Sequence, residues 1–372
     1  PRPQVTGNVD EVGQELFDGY RMGAHTMSIG TPPLQELKAE VMAQFLNRIE
    51  NNESHAGYDY AGLSFSGMDL QGLDLSSCYL EQCDFSHCNL TNAKFTNSVL
   101  ARSNFNSSLL TSANLTAANI GACDFTKADL SNAQMEGCEY GKSDFSYAKL
   151  INTNLSGSIN SLEAKFHHCD MTGIIFDEPS FVELDFSSAK LNGAQLVSAT
   201  FINCNLAGCS FDQANISGVN FIDSKLTRSS FKQAQMDNCR FMQNIQLAES
   251  SFVQAKASNC NFRGADVTNC DFGYADLRYT DFSEANAQKA SFIGANLSQS
   301  QCMQTDFGAA NLSNCNLLEA NLMKARLTST KIIKSNCYGV EFLAATVGKT
   351  DFTGSILDAT KLENWRPAKW QA

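Results

Sequence analysis

The residues and motifs of catalysis are scarce in this 372-residue chain. Histidine occurs only at His25, His55, His87, His167 and His168, too few and too scattered for a metal cluster. There is no H-E-x-x-H, no Walker-type phosphate loop and no G-x-G-x-x-G after a strand, which removes the common hydrolase and nucleotide-binding readings. No C-x-x-C pair occurs among the 14 cysteines, so a thioredoxin-like or zinc-ribbon site is not supported. No apolar run approaches the roughly 18 residues of a membrane-spanning helix, and no signal peptide is evident. Neither a transmembrane nor a secretory assignment is therefore expected.

What fills the chain instead is a five-residue grid. Of the 25 phenylalanines only Phe17 and Phe45 precede it; all the others, from Phe65 to Phe352, fall on it. The pattern is a small residue, then Asp or Asn, then a large apolar residue, then two mostly polar residues, as in Ala93-Lys94-Phe95, Ala113-Asn114-Leu115, Cys123-Asp124-Phe125 and Ala310-Asn311-Leu312. The large residue recurs at 65–155, 166–241 and 247–362, with a slip of one residue near 156–165 and another near 242–246. A period of five fits neither the 3.6 of a helix nor the 2.0 of a strand, so the chain must be read as a repeat.

This grid resembles the A(D/N)LXX pattern of the pentapeptide-repeat family over residues 61–362. The resemblance implies an all-β solenoid: a right-handed quadrilateral β-helix with four pentapeptides per coil and the large (i) and small (i−2) residues pointing inward. Large and small side chains alternating in a narrow tube are also what close packing requires. About sixty grid positions give about fifteen coils, and at a strand spacing of ~4.8 Å a stack roughly 70 Å long. Stacked in steps of twenty, one interior column reads Phe65, Phe85, Phe105, Phe125, Phe145, Phe166, Phe186 and another Phe181, Phe201, Phe221, Phe241, Phe262, Phe282.

The grid also explains features that would otherwise suggest chemistry. Twelve cysteines (Cys78, Cys83, Cys88, Cys123, Cys138, Cys169, Cys204, Cys209, Cys239, Cys260, Cys270 and Cys315) take the small inward position, and Cys302 and Cys337 take the large one. They read as reduced, buried hydrophobes in a reducing compartment, with only Cys239 and Cys260 expected to stack in adjacent coils. Asp84, Asp124, Asp129, Asp144, Asp271, Asp276 and Asp281 all precede the large residue, where an Asx-type bond to the corner backbone is expected rather than catalysis. His87 should face outward while Cys88 faces inward, which excludes a nucleophile–base pair. No catalytic residue, cofactor or metal is assigned, and the chain is not read as an enzyme.

Some members of the family imitate DNA in binding type II topoisomerases, so charge matters. The net charge is −12, divided as −5 for 1–60, −4 for 61–156, −3 for 157–243 and zero for 244–372. A 70 Å duplex carries on the order of 40 phosphate charges, so mimicry is the weaker reading and DNA binding is not expected. More informative are the outward residues just after the large one (i+1) along the Phe181 column: Val182, Ile202, Ile222, Met242, Arg263, Ser283, Met303, Met323 and Leu343. Val182, Ile202, Ile222, Met242, Met303, Met323 and Leu343 form an apolar strip, expected to dock a protein partner or a second copy of the chain. The competing reading is that the N-terminal segment or the slip loops cover it. Ile174-Ile175-Phe176-Asp177-Glu178-Pro179, after the first slip, is expected to add an outward Ile pair.

Residues 1–60 do not follow the grid and are read as a helical lead-in and cap. Thr31 as N-cap, Pro32 and Pro33 in the first turn, and Leu34, Leu37, Val41, Met42, Phe45, Leu46 and Ile49 in a stripe predict a helix over 32–50. A shorter helix is expected over Glu11 to Met22. Residues 363–372 read as a C-terminal tail, with Trp365 across the last coil and Trp370 as a free aromatic. The run from Leu37 through Asn51-Asn52-Glu53-Ser54, Ala56-Gly57-Tyr58-Asp59-Tyr60 and Gly72-Leu73-Asp74-Leu75 also resembles the pentapeptide-repeat region of type VI secretion adaptor proteins. That likeness implies service to a bacterial secretion system. The expectation is a non-enzymatic interaction scaffold in a bacterial cytoplasm, or delivered from one into a host or target cell. Its alternatives are a topoisomerase-binding DNA mimic and the targeting domain of a larger secreted effector such as a ubiquitin ligase.

Overall fold

A computed structural model describes residues 11–27, 35–158, 162–360 and 362. They fall into two compact units, Pro1–Asp177 with Glu183–Lys190, and Glu178–Val182 with Leu191–Ala372. In each unit the grid becomes a parallel ladder with a period of twenty residues. In the first, Asp59 bridges Tyr79, Tyr79 bridges Val99, Val99 bridges Asn119 and Asn119 bridges Glu139; in the second, Asp266 bridges Asn286 and Asn286 bridges Asp306. Four pentapeptides therefore close one coil. At each slip the ladder absorbs one extra residue and continues, as in Asp144 to Lys165 at the first and Ser230 to Ser251 at the second.

The corners follow from backbone bonding. Phe65 N donates to Asp84 O in the next coil at 2.7 Å, Asp84 N donates back to Leu63 O at 2.9 Å, and Met68 N closes the corner on Phe65 O at 2.9 Å. The second residue after each large one turns left-handed, with φ of 59° at Asn92, 62° at Lys127 and 59° at Gln254. Left-handed φ costs a non-glycine residue about 1–2 kcal/mol, and the coil-to-coil bonds offset it. The carboxylates and amides before the large residue make the expected Asx bonds: Ser76 N donates to Asp74 Oδ1 at 3.1 Å, Asn106 N to Asn104 Oδ1 at 2.9 Å and Gly273 N to Asp271 Oδ1 at 3.0 Å.

The interior is a set of ring stacks. Phe85 and Phe105 lie 4.9 Å apart and 9° from parallel, Phe125 and Phe145 5.0 Å and 3°, and the stack continues through the first slip to Phe186. In the second unit two neighbouring stacks interlock edge to face: Phe252 and Phe272 are stacked at 4.6 Å, while Phe262 meets Phe272 at 85°. Both geometries suit the ring quadrupole, worth about 0.5–1.5 kcal/mol per pair beyond burial.

The small inward position proves to be a polar column as well as an apolar one. Cys88 Sγ donates to Phe65 O at 2.8 Å, Cys138 to Leu115 O at 3.0 Å and Cys315 to Phe292 O at 2.8 Å. Serine and threonine at the same position do likewise, as Ser98 does to Leu75 O and Thr305 to Phe282 O, each at 2.7 Å. These hydroxyls and thiols thus spend their hydrogens on carbonyls of the preceding coil, while Ser108 and Thr280 use a carbonyl of their own coil at 2.7 Å, which is how polar groups can line a dry core. All 14 cysteines are buried free thiols. Cys239 and Cys260 are the pair that meet side chain to side chain.

Helix α1 spans Glu11–Gly23, with a 3-10 turn over Ala24–Thr26, and α2 spans Gln35–Glu50. The expected start of α2 at Thr31 to Leu34 lies outside the described residues, as do Ile159 to Ser161 of the first slip, Trp365 and Trp370. The apolar stripe of α2 is narrower than its sequence suggests, because Leu37 and Leu46 are exposed and only Phe45 is fully buried. Phe45 seats on Phe65 at 4.8 Å and on Tyr60 edge to face at 5.0 Å, so it tops the phenylalanine stack. The Ile pair is also corrected: Ile174 occupies an inward grid position and is buried, and only Ile175 faces out.

Two outcomes follow. Phe125→Ala should cost about 3–5 kcal/mol in urea unfolding, whereas Phe125→Leu should cost less than half of that because the stack survives as a packed column. Burial pushes the thiols of Cys270, Cys302, Cys315 and Cys337 up to about 12. A raised thiol pKa stabilises the fold fully below the unfolded value of 9.0 and is lost as pH rises toward 12. Chemical denaturation between pH 8 and 11 should therefore show stability falling steeply above about pH 9, and no thiol should react with Ellman's reagent at pH 7.5 before unfolding.

Candidate docking surface

Strands β1 (Ser180–Val182), β2 (Thr200–Ile202), β3 (Asn220–Ile222) and β4 (Arg240–Met242) form one parallel sheet in sequence order. Their register pairs Val182 with Ile202, Ile202 with Ile222 and Ile222 with Met242. The central phenylalanine of each strand points inward, so the residue after it must point outward. Bridges from Arg240 through Asn261, Asp281, Gln301 and Asn321 to Glu341 carry the same alignment onward, placing Arg263, Ser283, Met303, Met323 and Leu343, each two residues after its bridged residue, in the same column.

All seven apolar residues expected of the strip thus lie in one column of the second unit. Val182, Ile202, Ile222, Met242, Met303 and Met323 are half-buried and Leu343 is exposed. The half-burial comes from the stacking itself, because each side chain rests on the next coil at one strand spacing. Arg263, paired with Glu284, and the buried Ser283 divide the strip into a run of four and a run of three. In a shallow recess elsewhere in this unit, between Lys256, Tyr274 and Arg278, Arg278 grips Asp276 at 2.7 Å and Ser258 N donates to Asp237 Oδ1 at 3.1 Å.

The first unit carries an outer surface, part apolar and part polar, that is already covered. Phe17 and Ala24 of the N-terminal segment form an apolar cluster with Tyr79, Val99 and Ala101, against which Tyr20 packs. The rings of Phe17 and Tyr79 meet edge to face at 5.4 Å. Polar bonds extend the contact along the stack: Tyr20 Oη donates to Glu81, Arg21 donates to Ala117 O, Asn119 Nδ2 donates to Arg21 O, and Arg102 donates to His25 O at 2.9 Å. His25 is buried with its Nε2 3.7 Å from Glu139 Oε1, and its ring occupies the space a methyl group at Gly121 would need. Phe17 to His25 are therefore engaged on Tyr79 to Glu139, and Phe45 on Tyr60 and Phe65, all within their own unit. Sequence reasoning missed this site, although Tyr79 and Val99 in a slot elsewhere rich in Asp or Asn, followed by Ala101, Gly121 and Gly141, were its signal.

Burial, and then the Arg102 and Lys142 charges, hold His25 below its usual value of 6.5. Its neutral form therefore favours docking, and the contribution is present above pH 6.5 and lost as pH falls through the lowered value. Arg21, Arg102, Lys142 and Glu139 are the charged groups around it. Gly121→Val should displace the His25 ring and free α1, raising trypsin cleavage at Arg21 at least about tenfold with the coils still folded by circular dichroism.

Outside the covered surface the histidines are dispersed. His87 is exposed beside buried Cys88, and near the first slip His168 stacks on Tyr147 while His167 meets both rings edge to face. Among the described residues there is no group of three or more His, Cys, Asp or Glu that could hold a metal ion, and no helix is long and apolar enough to cross a membrane.

The chain is similar to HetL, a pentapeptide repeat protein involved in heterocyst differentiation regulation from Nostoc sp. strain PCC 7120, at 24% identity over 68% of this chain and 90% of that one, with a TM-score of 0.25. It is similar to a trypsin-treated form of QnrB1, a plasmid-mediated fluoroquinolone resistance protein, at 18% identity over 50% and 88%, with a TM-score of 0.25. It is also similar to Rfr23 from the cyanobacterium Cyanothece 51142, at 27% identity over 33% and 64%, with a TM-score of 0.15. No curated protein matches the chain. The family model for pentapeptide repeats matches eight overlapping stretches within residues 88–159 and 179–336, more than half of the sequence. With its grid, its twenty-residue coils and its inward phenylalanine columns, this chain belongs to the pentapeptide-repeat family.

Proposed function

We propose that the protein is a non-enzymatic scaffold for protein–protein interaction, and that a protein partner docks on Val182, Ile202, Ile222, Met242, Met303, Met323 and Leu343. The observation that carries this reading is the in-register apolar column of the second unit, in outward positions that the repeat normally gives to polar residues. Contiguous apolar strips on a protein surface mark interaction sites. The buried free thiols support a reducing cytosol as its setting. Service to a bacterial secretion system is the finer version of this reading and rests on the likeness of residues 37–75 to type VI adaptors.

DNA mimicry calls for carboxylates gathered on one side. Here the aspartate columns of the first unit are interleaved with lysines: Asp129 bonds Lys149 at 3.0 Å, Asp144 bonds Lys165 at 3.4 Å and Asp170 bonds Lys190 at 3.3 Å. In the second unit Asp266, Asp271, Asp276 and Asp281 are successive grid residues and so encircle one coil rather than line one face. Both arrangements favour the scaffold reading.

The test uses a photo-crosslinking amino acid at Asn203, an exposed rim position beside the strip. Cross-linked partner should be recovered from the native background and lost when Ile202→Glu and Ile222→Glu are added, with an unchanged melting temperature. Equal capture by both forms would place the partner elsewhere.

A further inference from the structure

We propose that the occupant of the Val182–Met242 run is an amphipathic α-helix of a partner protein, lying lengthwise along the coil stack with one apolar residue per turn over each coil. The inference rests on the docking reading above. It is drawn from α1 and the 3-10 turn after it, which show what this kind of β-helix surface accepts.

From Phe17 to His25 the contacts advance from Tyr79 and Glu81, met by Phe17 and Tyr20, to Ala117 and Asn119, met by Arg21, and to Glu139, met by His25, with Arg102 bonding back to His25 O. Phe17 to Gly23 rises about 9 Å as α-helix and the 3-10 turn to His25 adds about 4 Å, and three coil steps span about 14 Å. A helix parallel to the stack therefore advances about one turn per coil and meets each coil with the same face. Phe17, Tyr20, Arg21 and Ala24 are spaced i, i+3, i+4 and i+7, the spacing of a single helical face.

The four-coil run offers a helix the same coil spacing as the surface under α1, with a continuous apolar column where that surface has Ala101, Asn119, Gly121 and Glu139. Val182, Ile202, Ile222 and Met242 offer one apolar side chain per coil over the same three steps. One rim is formed by Glu183, Asn203, Asp223 and Gln243, the other by Ser180, Thr200, Asn220 and Arg240. The apolar surface is thus one side chain wide between polar borders, which suits one helix stripe. A second copy docking through this face would need about 800 Å² per partner, more than so narrow a run supplies. The carboxylates of Glu183 and Asp223 favour lysine or arginine along one flank of the incoming helix, and Arg240 at the last coil favours an acidic residue at its end.

The probe is a fluorescein-labelled designed helix of about four turns, with leucines at i, i+4, i+7 and i+11, lysines on one flank and a terminal glutamate. A scrambled peptide of equal composition serves as control, and the full-length protein is the receptor. Expected are saturable anisotropy binding to the wild type, a gain of helical circular dichroism on mixing, and a loss of affinity of about tenfold or more for the scrambled peptide and for Ile202→Glu/Ile222→Glu. Should the glutamate variant unfold, Ile202→Ser/Ile222→Ser makes the same comparison.

Failure of the helix to bind while the Asn203 cross-link to a partner persists would overturn the helical occupant and leave the docking surface standing. Failure of both would overturn both. Dimerisation of the wild type in sedimentation equilibrium, abolished in the variant, would identify the occupant as a second copy and overturn the helix.

Discussion

Vertical registry between coils is the constraint on which this structure depends. Backbone groups of adjacent coils, 19 or 21 residues apart, bond at 2.6–3.0 Å over most of the ladder, as Phe65 N does to Asp84 O and Asp84 N to Leu63 O. Once that spacing is fixed, like must sit on like at one strand separation. Rings stack because their backbones are held at the distance at which offset rings are attractive. Thiols and hydroxyls at the small position find the preceding coil's carbonyl for the same reason. Even the slips near 156–165 and 242–246 preserve registry, since each adds one residue to a coil and then restores the step of twenty.

Registry also dictates what the outside can be. Each side of a coil exposes short runs of residues between corners whose second position is left-handed, so surface chemistry is written in columns rather than patches. A column may be polar and internally paired, as with Asp129 and Lys149. It may be apolar and covered, as under α1, or apolar and half-buried by its own stacking, as from Val182 to Met242. The surface vocabulary of such a protein is therefore the choice of residue in each outward column.

The fold was legible because the repeat leaves few alternatives: Phe65, Cys88 and Asp129 each occupy a slot whose direction follows from the grid. Less legible were features that depend on the neighbouring coil. That Cys88 donates to Phe65 O, and Ser98 to Leu75 O, needs the coil-to-coil distance as well as the slot. Ile174 was misread because the nearby slip obscured its phase, and the stripe of α2 was over-read because helical periodicity does not say how much of a face has something to pack against. Phe45 does, on Phe65 and Tyr60; Leu37 and Leu46 do not.

By itself the sequence determined the repeat, the inward columns, the burial of the cysteines and the alignment of Val182, Ile202, Ile222 and Met242, because a strict period converts chain position into spatial position. The address of α1 was decided by tertiary structure. Its contacts join residues 17–25 to residues 79–139, and no local periodicity links a helix to a surface so distant in the chain. What places it there is complementarity of shape and polarity: the bare backbone at Gly121 admits the His25 ring, Ala101 and Tyr79 receive Ala24 and Phe17, and Asn119 and Glu139 bond what the helix end leaves unpaired.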